Sequence, residues 1–226
     1  MSKAAVTIGI ILDGNRRWAK EHEATSLEGH KKGSERVKDI ISWAHEAGVK
    51  EVVLYAFSTE NWNRPPEEVT YLMKLFEETC DEWAEEMKKR NGRVRFIGER
   101  SRLSASLKDK MDKAEQETQE GTQGTLWVAL SYGGRSEIIA GVNQLLKSGV
   151  SSVDENDFAK TLWSSDMANP DLIIRTGGEK RLSNFLTWQS VYSELFFTDT
   201  KLPDFTKEEF VSILSAYSER ERRHGR

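Results

Sequence analysis

The chain has 226 residues, a formal net charge of −4 and one cysteine, Cys80. That length suits a single domain, 1–226, since no Pro-, Gly- or Ser-rich linker divides it. The charge gives no global case for nucleic acid, and the lone cysteine excludes an intramolecular disulfide. No apolar run reaches membrane-spanning length and no basic-then-apolar leader opens the chain, so a soluble, cytoplasmic protein is expected. Such a protein can still handle a greasy ligand.

Residues 6–12 read as a buried strand that stops at Asp13-Gly14-Asn15, followed by Arg16, Arg17 and Trp18. A helix is expected over 29–47, with Val37, Ile40, Ile41 and Ala44 on one face and Gly48 as its stop. A second strand, 49–57, empties into a polar loop, 58–64. Pro65-Pro66 opens a long helix over 66–90. Its apolar stripe is Val69, Leu72, Met73, Phe76, Cys80, Trp83, Ala84 and Met87. A third strand covers 93–98, and 103–118 reads as a charged surface helix. A fourth strand, 125–131, ends in Tyr132-Gly133-Gly134-Arg135 before a helix near 135–147. A short helix at 154–163, strands at 172–175 and 191–197, and a last helix over 206–220 complete the pattern. In that last helix Phe210, Ile213, Leu214 and Tyr217 point inward. Strands alternating with helices predict an α/β fold, a mostly parallel six-stranded sheet flanked by helices.

Three strand ends carry candidate chemistry. A carboxylate such as Asp13 can bind Mg²⁺ while substrate phosphates complete the shell. Asp-Gly-Asn is equally a turn with a cap, although a turn needs no guanidinium pair. In Ser58-Thr59-Glu60-Asn61-Trp62-Asn63-Arg64, Arg64 can pair with phosphate, or the segment is a solvated loop over Trp62. In Arg175 to Ser183, Gly177 and Gly178 let backbone amides approach an anion while Arg175, Arg181 and Ser183 add donors. The alternative there is a Gly-rich turn with surface charges. Tyr132-Gly133-Gly134-Arg135 leans toward a structural turn. His30 orients a phosphate or is merely local. The stripe on 66–90 is core, or one side of it lines an apolar tunnel. The basic tail 220–226 is a solvated end, or reaches a neighbouring subunit's anionic ligand. Neither a P-loop, nor a Gly-x-Ser-x-Gly elbow, nor Gly-x-Gly-x-x-Gly is present.

These segments together resemble the cis-prenyltransferases, the undecaprenyl diphosphate synthase family. The resemblance rests on Ile10 to Lys20, Gly29-His30-x-x-Gly33, Tyr55 to Pro65, Ser131 to Arg135, Asp171 to Glu179, Arg181 to Gln189 and Tyr192 to Phe197, in family order. It implies a homodimer with a hydrophobic tunnel beside the parallel sheet. It implies Mg²⁺-dependent condensation of isopentenyl diphosphate with an allylic diphosphate such as farnesyl diphosphate. The product would be a Z-polyprenyl diphosphate such as undecaprenyl diphosphate, a cell-wall lipid carrier, released with peripheral membrane contact.

By matching position, Asp13 binds the metal and helps the allylic diphosphate leave. Gly14, Asn15, Arg16, Arg17 and His30 form its cradle, and Trp18 is counted with the substrate-binding residues. Asn61 assists proton removal with Ser58 nearby, Trp62 and Arg64 position substrate, and Glu68 supports their loop. Arg175, Arg181 and Ser183 hold isopentenyl diphosphate, and Glu194 joins the metal region. Arg223-His224-Gly225 is similar to a C-terminal Arg-x-Gly that reaches across the dimer. Thr7, Arg16 and Ser26 depart from the common pattern, with His, Gly and Arg respectively in many members. Arg16 offers a charge in place of the one absent at Ser26. A non-catalytic partner subunit is the alternative under the same resemblance, but it would lack Asp13, Asn61, Arg175 and Arg181. An RNA- or anion-binding module is a third possibility, opposed by the acidic charge. Glu77, Glu78 and Trp83 are the candidates for limiting product length.

Overall fold

The computed structural model describes residues 5–220. Its strands are β1 (Thr7–Ile11), β2 (Glu51–Ser58), β3 (Arg93–Ile97), β4 (Thr125–Tyr132), β5 (Leu172–Arg175) and β6 (Glu194–Phe197). Its α-helices are α1 (Asn15–Glu21), α2 (Ser26–Glu46), α3 (Pro66–Lys89), α4 (Ala105–Glu117), α5 (Gly134–Ser148), α6 (Glu155–Ala159) and α7 (Lys207–Glu219). The sheet order is β3-β4-β2-β1-β5-β6 and every pairing is parallel. The expected sheet is therefore present, and wholly rather than mostly parallel.

The sheet is covered on both faces, which is why β1 and β5 are buried along their full length and are apolar apart from Thr7 and Arg175 at their ends. Alternate residues divide between two cores. Ile8, Ile10, Leu54 and Ile174 face a large cluster with Val37, Ile40 and Ile41 of α2, Leu72, Phe76 and Cys80 of α3, Leu107 and Met111 of α4, and Phe210 and Tyr217 of α7. Ile11, Val53, Tyr55 and Ile173 face a smaller cluster closed by Met167, Phe185 and Leu186. Helix α4, expected on the surface, buries Leu107, Met111 and Ala114 at helical spacing, leaving its charged side to solvent.

Three local corrections matter for the site. The Asp13-Gly14-Asn15 turn leads at once into a helix not anticipated from the sequence, α1, so Arg16 and Arg17 are helical residues. The next helix starts at Ser26 rather than near residue 29. Thr25 caps it, accepting from the Glu28 N–H at 3.3 Å while Glu28 takes the Thr25 N–H at 2.7 Å. The polar loop after β2 winds into a 3₁₀ turn, Thr59–Asn63.

The topology fixes where a ligand can enter. From β1 the chain moves to β2 on one side, and from β4 it crosses to β5 on the other side of β1. Open parallel sheets bind ligands at such a switch point, outside the carboxyl ends of the strands. Ile11 of β1 pairs in register with Arg175 of β5, so Asp13 and Arg175 emerge there side by side.

Candidate active site

Asp13 and Arg175 form the centre of the site. The Asp13 Oδ2 accepts from an Arg175 guanidinium nitrogen at 2.8 Å, and Oδ1 accepts the Gly14 N–H at 2.6 Å and lies 3.1 Å from Arg17. Burial alone would push the Asp13 carboxyl up. The hydrogen bond and charge of Arg175, with Arg17 and the Gly14 amide, outweigh burial and hold it below the ordinary carboxylate value. Thr176 locks the turn, its hydroxyl donating to the Asp13 carbonyl at 2.7 Å and accepting the Asp13 N–H at 3.0 Å. Gly14 has φ +108°, and a Cβ there would lie 2.8 Å from the Lys201 Cβ, so the turn needs glycine twice over.

Arg175 is almost fully buried and donates also to the Arg181 carbonyl and, at 2.8 Å, to the Ser183 hydroxyl. Its Nε has no partner. Arg181 reaches the same hydroxyl at 3.2 Å. Ser183 and Asn184 hold φ values of +49° and +67°, and the Tyr55 hydroxyl pins the Ser183 carbonyl at 3.1 Å. This backbone, unfavourable for side-chain-bearing residues, turns Ser183 toward Arg175.

A second cationic group faces the first. Glu68, buried on α3, accepts from His30 Nε2 and from Arg64, both at 3.1 Å, and stands 3.9 Å from Arg16. Burial lowers the His30 pKa, against the Glu68 hydrogen bond and with the charge of Arg64, so the ring is neutral near pH 7. Gly29 and Gly33 explain the Gly-His-x-x-Gly spacing. A Cβ at Gly29 would lie 2.3 Å from the Asn15 carbonyl oxygen, and one at Gly33 equally close to the Asn15 Oδ1. Asn15 is thus pressed onto α2 with its buried Oδ1 unpartnered and its side chain on the cavity wall.

These groups line the mouth of a cavity of about 730 Å³. Asp13, Asn15, His30, Ser58, Asn61, Arg64, Arg175, Arg181 and Ser183 contribute to the wall. Deeper, Val37, Leu72, Leu75, Phe76 and Trp83 make it apolar. Trp83 lies roughly 22 Å along α3 from Glu68 at the helical rise per residue. An adjoining groove of about 580 Å³ carries Gly14, Arg16, Arg17, Lys20 and Ser26. Arg16 and Ser26 therefore face one space. Thr7, by contrast, opens β1 at the opposite end of the sheet.

Three expected site residues are not brought together with the rest. Trp18 stacks on His22 and donates to Asp204 at 2.7 Å, away from the cavity wall. Trp62 packs edge-on against Phe57 beneath Arg102 and donates to Ser131 at 2.9 Å; it supports the wall without lining it. Glu194 opens β6 in register with Leu172, about 10 Å along the strands before the level of Arg175. It pairs with Arg220 at 2.6 Å. Within one chain it is separate from Asp13, because register puts the two at opposite strand ends. Arg223-His224-Gly225 lies outside the described residues. Sequence reasoning missed Glu60, Asn184 and Thr187 on the wall, and Arg135 lines it although its two glycines are structural. For three of them the signal was position: Glu60 and Arg135 follow strand ends and Asn184 flanks Ser183, whereas nothing local marks Thr187.

A parallel sheet whose switch point presents one carboxylate and clustered guanidiniums over an apolar cavity defines a binding protein for a phosphorylated ligand with an apolar body. Residues 11–225 match the family model described as "Putative undecaprenyl diphosphate synthase", and the chain belongs to the undecaprenyl diphosphate synthase family. It is 45% identical to the isoprenyl transferase of Aquifex aeolicus, covering 97% of this chain and 95% of that one. It is 43% identical to a geranylgeranyl-diphosphate-specific tritrans,polycis-undecaprenyl-diphosphate synthase of Pyrococcus horikoshii, covering 97% and 86%. The lavandulyl diphosphate synthase of Lavandula x intermedia, solved with dimethylallyl diphosphate, superposes with a TM-score of 0.94 at 33% identity, over 99% of each chain.

Proposed function

We propose that this chain is a cis-prenyltransferase that condenses isopentenyl diphosphate with an allylic diphosphate to give a Z-polyprenyl diphosphate. The observation that carries this is the Asp13–Arg175 pair at adjacent strand ends, opening on a cavity that is cationic at its mouth and apolar in depth. The reaction needs both. Guanidiniums stabilise charge on the departing diphosphate, and an apolar wall keeps water from the allylic cation. Arg175, Arg181 and Ser183 would hold one diphosphate; Asn15, Arg16, Arg17 and His30 would hold the other.

Mg²⁺ fits this donor set. The Asp13 carboxylate has three of its roughly four acceptor sites engaged, which leaves one for a cation whose other ligands are waters and substrate phosphates. Among the described residues no cluster of three acidic, His or Cys side chains could hold a metal alone, in keeping with a site completed by substrate. Bound there, Mg²⁺ would neutralise charge on the leaving diphosphate.

A homodimer is supported by apolar side chains left exposed on α5, Ile139, Val142 and Leu146, and by Val191, Tyr192 and Leu195 around β6. Among the described residues no helix is long and apolar enough to cross a membrane. The starter is open to experiment: one relative is named for geranylgeranyl diphosphate, and another, from Salmonella paratyphi A, for farnesyl diphosphate. The test is radiolabelled isopentenyl diphosphate with dimethylallyl, geranyl, farnesyl and geranylgeranyl diphosphates, with and without Mg²⁺, and products sized by chromatography. Label should enter an extractable polyprenyl product only with Mg²⁺. No incorporation from any starter would refute the proposal.

A further inference from the structure

Prenyl transfer, if the function proposed above holds, ends with loss of a proton from C2 of the isopentenyl unit, and the cavity contains few groups able to take it. Asn61 is a neutral amide without basic character near pH 7, and its Oδ1 already accepts the Ser58 N–H at 3.1 Å. Asp13 is held by Arg175 and Arg17. His30 is tied to Glu68, and a proton gained there would place a cation beside Arg64 and Arg16. Among the described residues, Asp13 and Glu60 are the only carboxylates on the cavity wall.

Glu60 is placed for the task. Its Oε1 accepts from the Asn184 amide at 2.9 Å and its Oε2 from the Thr59 hydroxyl at 3.2 Å, both neutral donors. Asn184 directly follows Ser183, whose hydroxyl accepts from Arg175 and Arg181. C2 is two bonds from the ester oxygen of isopentenyl diphosphate. A base for its proton must therefore stand beside the loop that holds that diphosphate, and Glu60 is hydrogen-bonded to this loop. A C–H next to a tertiary cation is acidic enough for a carboxylate to suffice.

We propose that Glu60 is the general base of the condensation, taking the C2 proton. The C4 π pair forms the new bond to the allylic C1, and the C1–O bond breaks with its electrons leaving on diphosphate. The C2–H pair closes the C2=C3 double bond as the proton passes to the Glu60 carboxylate, which returns it to water at the cavity mouth.

The test is single-turnover kinetics of Glu60→Gln and Glu60→Asp with isopentenyl diphosphate and its 2,2-dideuterated form. Glu60→Gln should lose about 10²-fold or more in turnover, with KM for both substrates within about threefold of the parent. Its deuterium isotope effect should exceed the parent's, and Glu60→Asp should retain more activity than Glu60→Gln. Turnover of Glu60→Gln within about tenfold of the parent would overturn the assignment. A higher KM for isopentenyl diphosphate with no rise in the isotope effect would also overturn it, leaving Glu60 a positioning residue. The unsubstituted enzyme is the control: if it transfers no prenyl group, the proposed function itself fails and the base falls with it.

Discussion

Asp13→Ala removes the carboxylate that Arg175 meets at 2.8 Å and Arg17 at 3.1 Å. Arg175 keeps the Arg181 carbonyl and the Ser183 hydroxyl as acceptors, so its charge is not stranded. A hydrogen bond to a charged group contributes about 1.5–3 kcal/mol. The Asp13 side chain is 28% exposed, which favours the lower end. About 2 kcal/mol corresponds to a Tm lower by roughly 4–8 °C for a chain of this size. The fold survives that loss; turnover should not. Metal support of a leaving group amounts to several kcal/mol, so the rate should fall about 10³-fold or more. Inorganic pyrophosphate should still bind in metal-free buffer, and more tightly, because Arg175 loses its carboxylate partner and Arg17 keeps only Glu179, at 3.7 Å. Calorimetric titration with pyrophosphate beside a prenyl-transfer assay tests both halves. Turnover within tenfold of the parent, or weaker metal-free pyrophosphate binding, would refute the reasoning.

Other substitutions probe the cradle. Gly33→Ala adds a Cβ 2.3 Å from the Asn15 Oδ1. Its helix-propensity gain of about 1 kcal/mol is offset by overpacking of about 1–3 kcal/mol. The KM for farnesyl diphosphate should rise while Tm stays level or falls; a raised Tm with unchanged KM would contradict the packing. His30 has a folded-state pKa below its unfolded value, so the unfolded chain binds that proton more readily. The stability it confers is complete above about pH 6.5 and is lost as pH falls through the lower folded pKa. Urea melts at several pH values should give a stability loss on the acid side that is smaller in His30→Gln. Ser26→Arg places a further cation in the groove shared with Arg16 and should lower the KM for farnesyl diphosphate. An unchanged constant would mean that Arg16 already supplies that charge.

The residues that announced the fold are those whose local physics leaves little choice. Ile8 to Ile11 and Leu172 to Ile174 can only be buried strands, and the three-four spacing from Val69 to Met87 can only be a helix with one apolar side. Helix α1 escaped notice because Asn15 to Glu21 carries almost no apolar periodicity; it is held by contact with Gly29 and Gly33 across the groove, a relation between segments. The Glu68 cluster was legible only as a role for one residue. That it gathers His30, Arg64 and Arg16 follows from the packing of both α1 and α3 against α2.

The chain's sequence determined on its own that phosphate-seeking side chains stand at strand ends, since strand, turn and arginine are local matters of period and residue type. Which of them meet was decided by the tertiary structure. Parallel register sets Asp13 beside Arg175 and carries Glu194 to the far end of the sheet, because residues level across a ladder are fixed by strand pairing and strand order, which no short stretch of sequence contains.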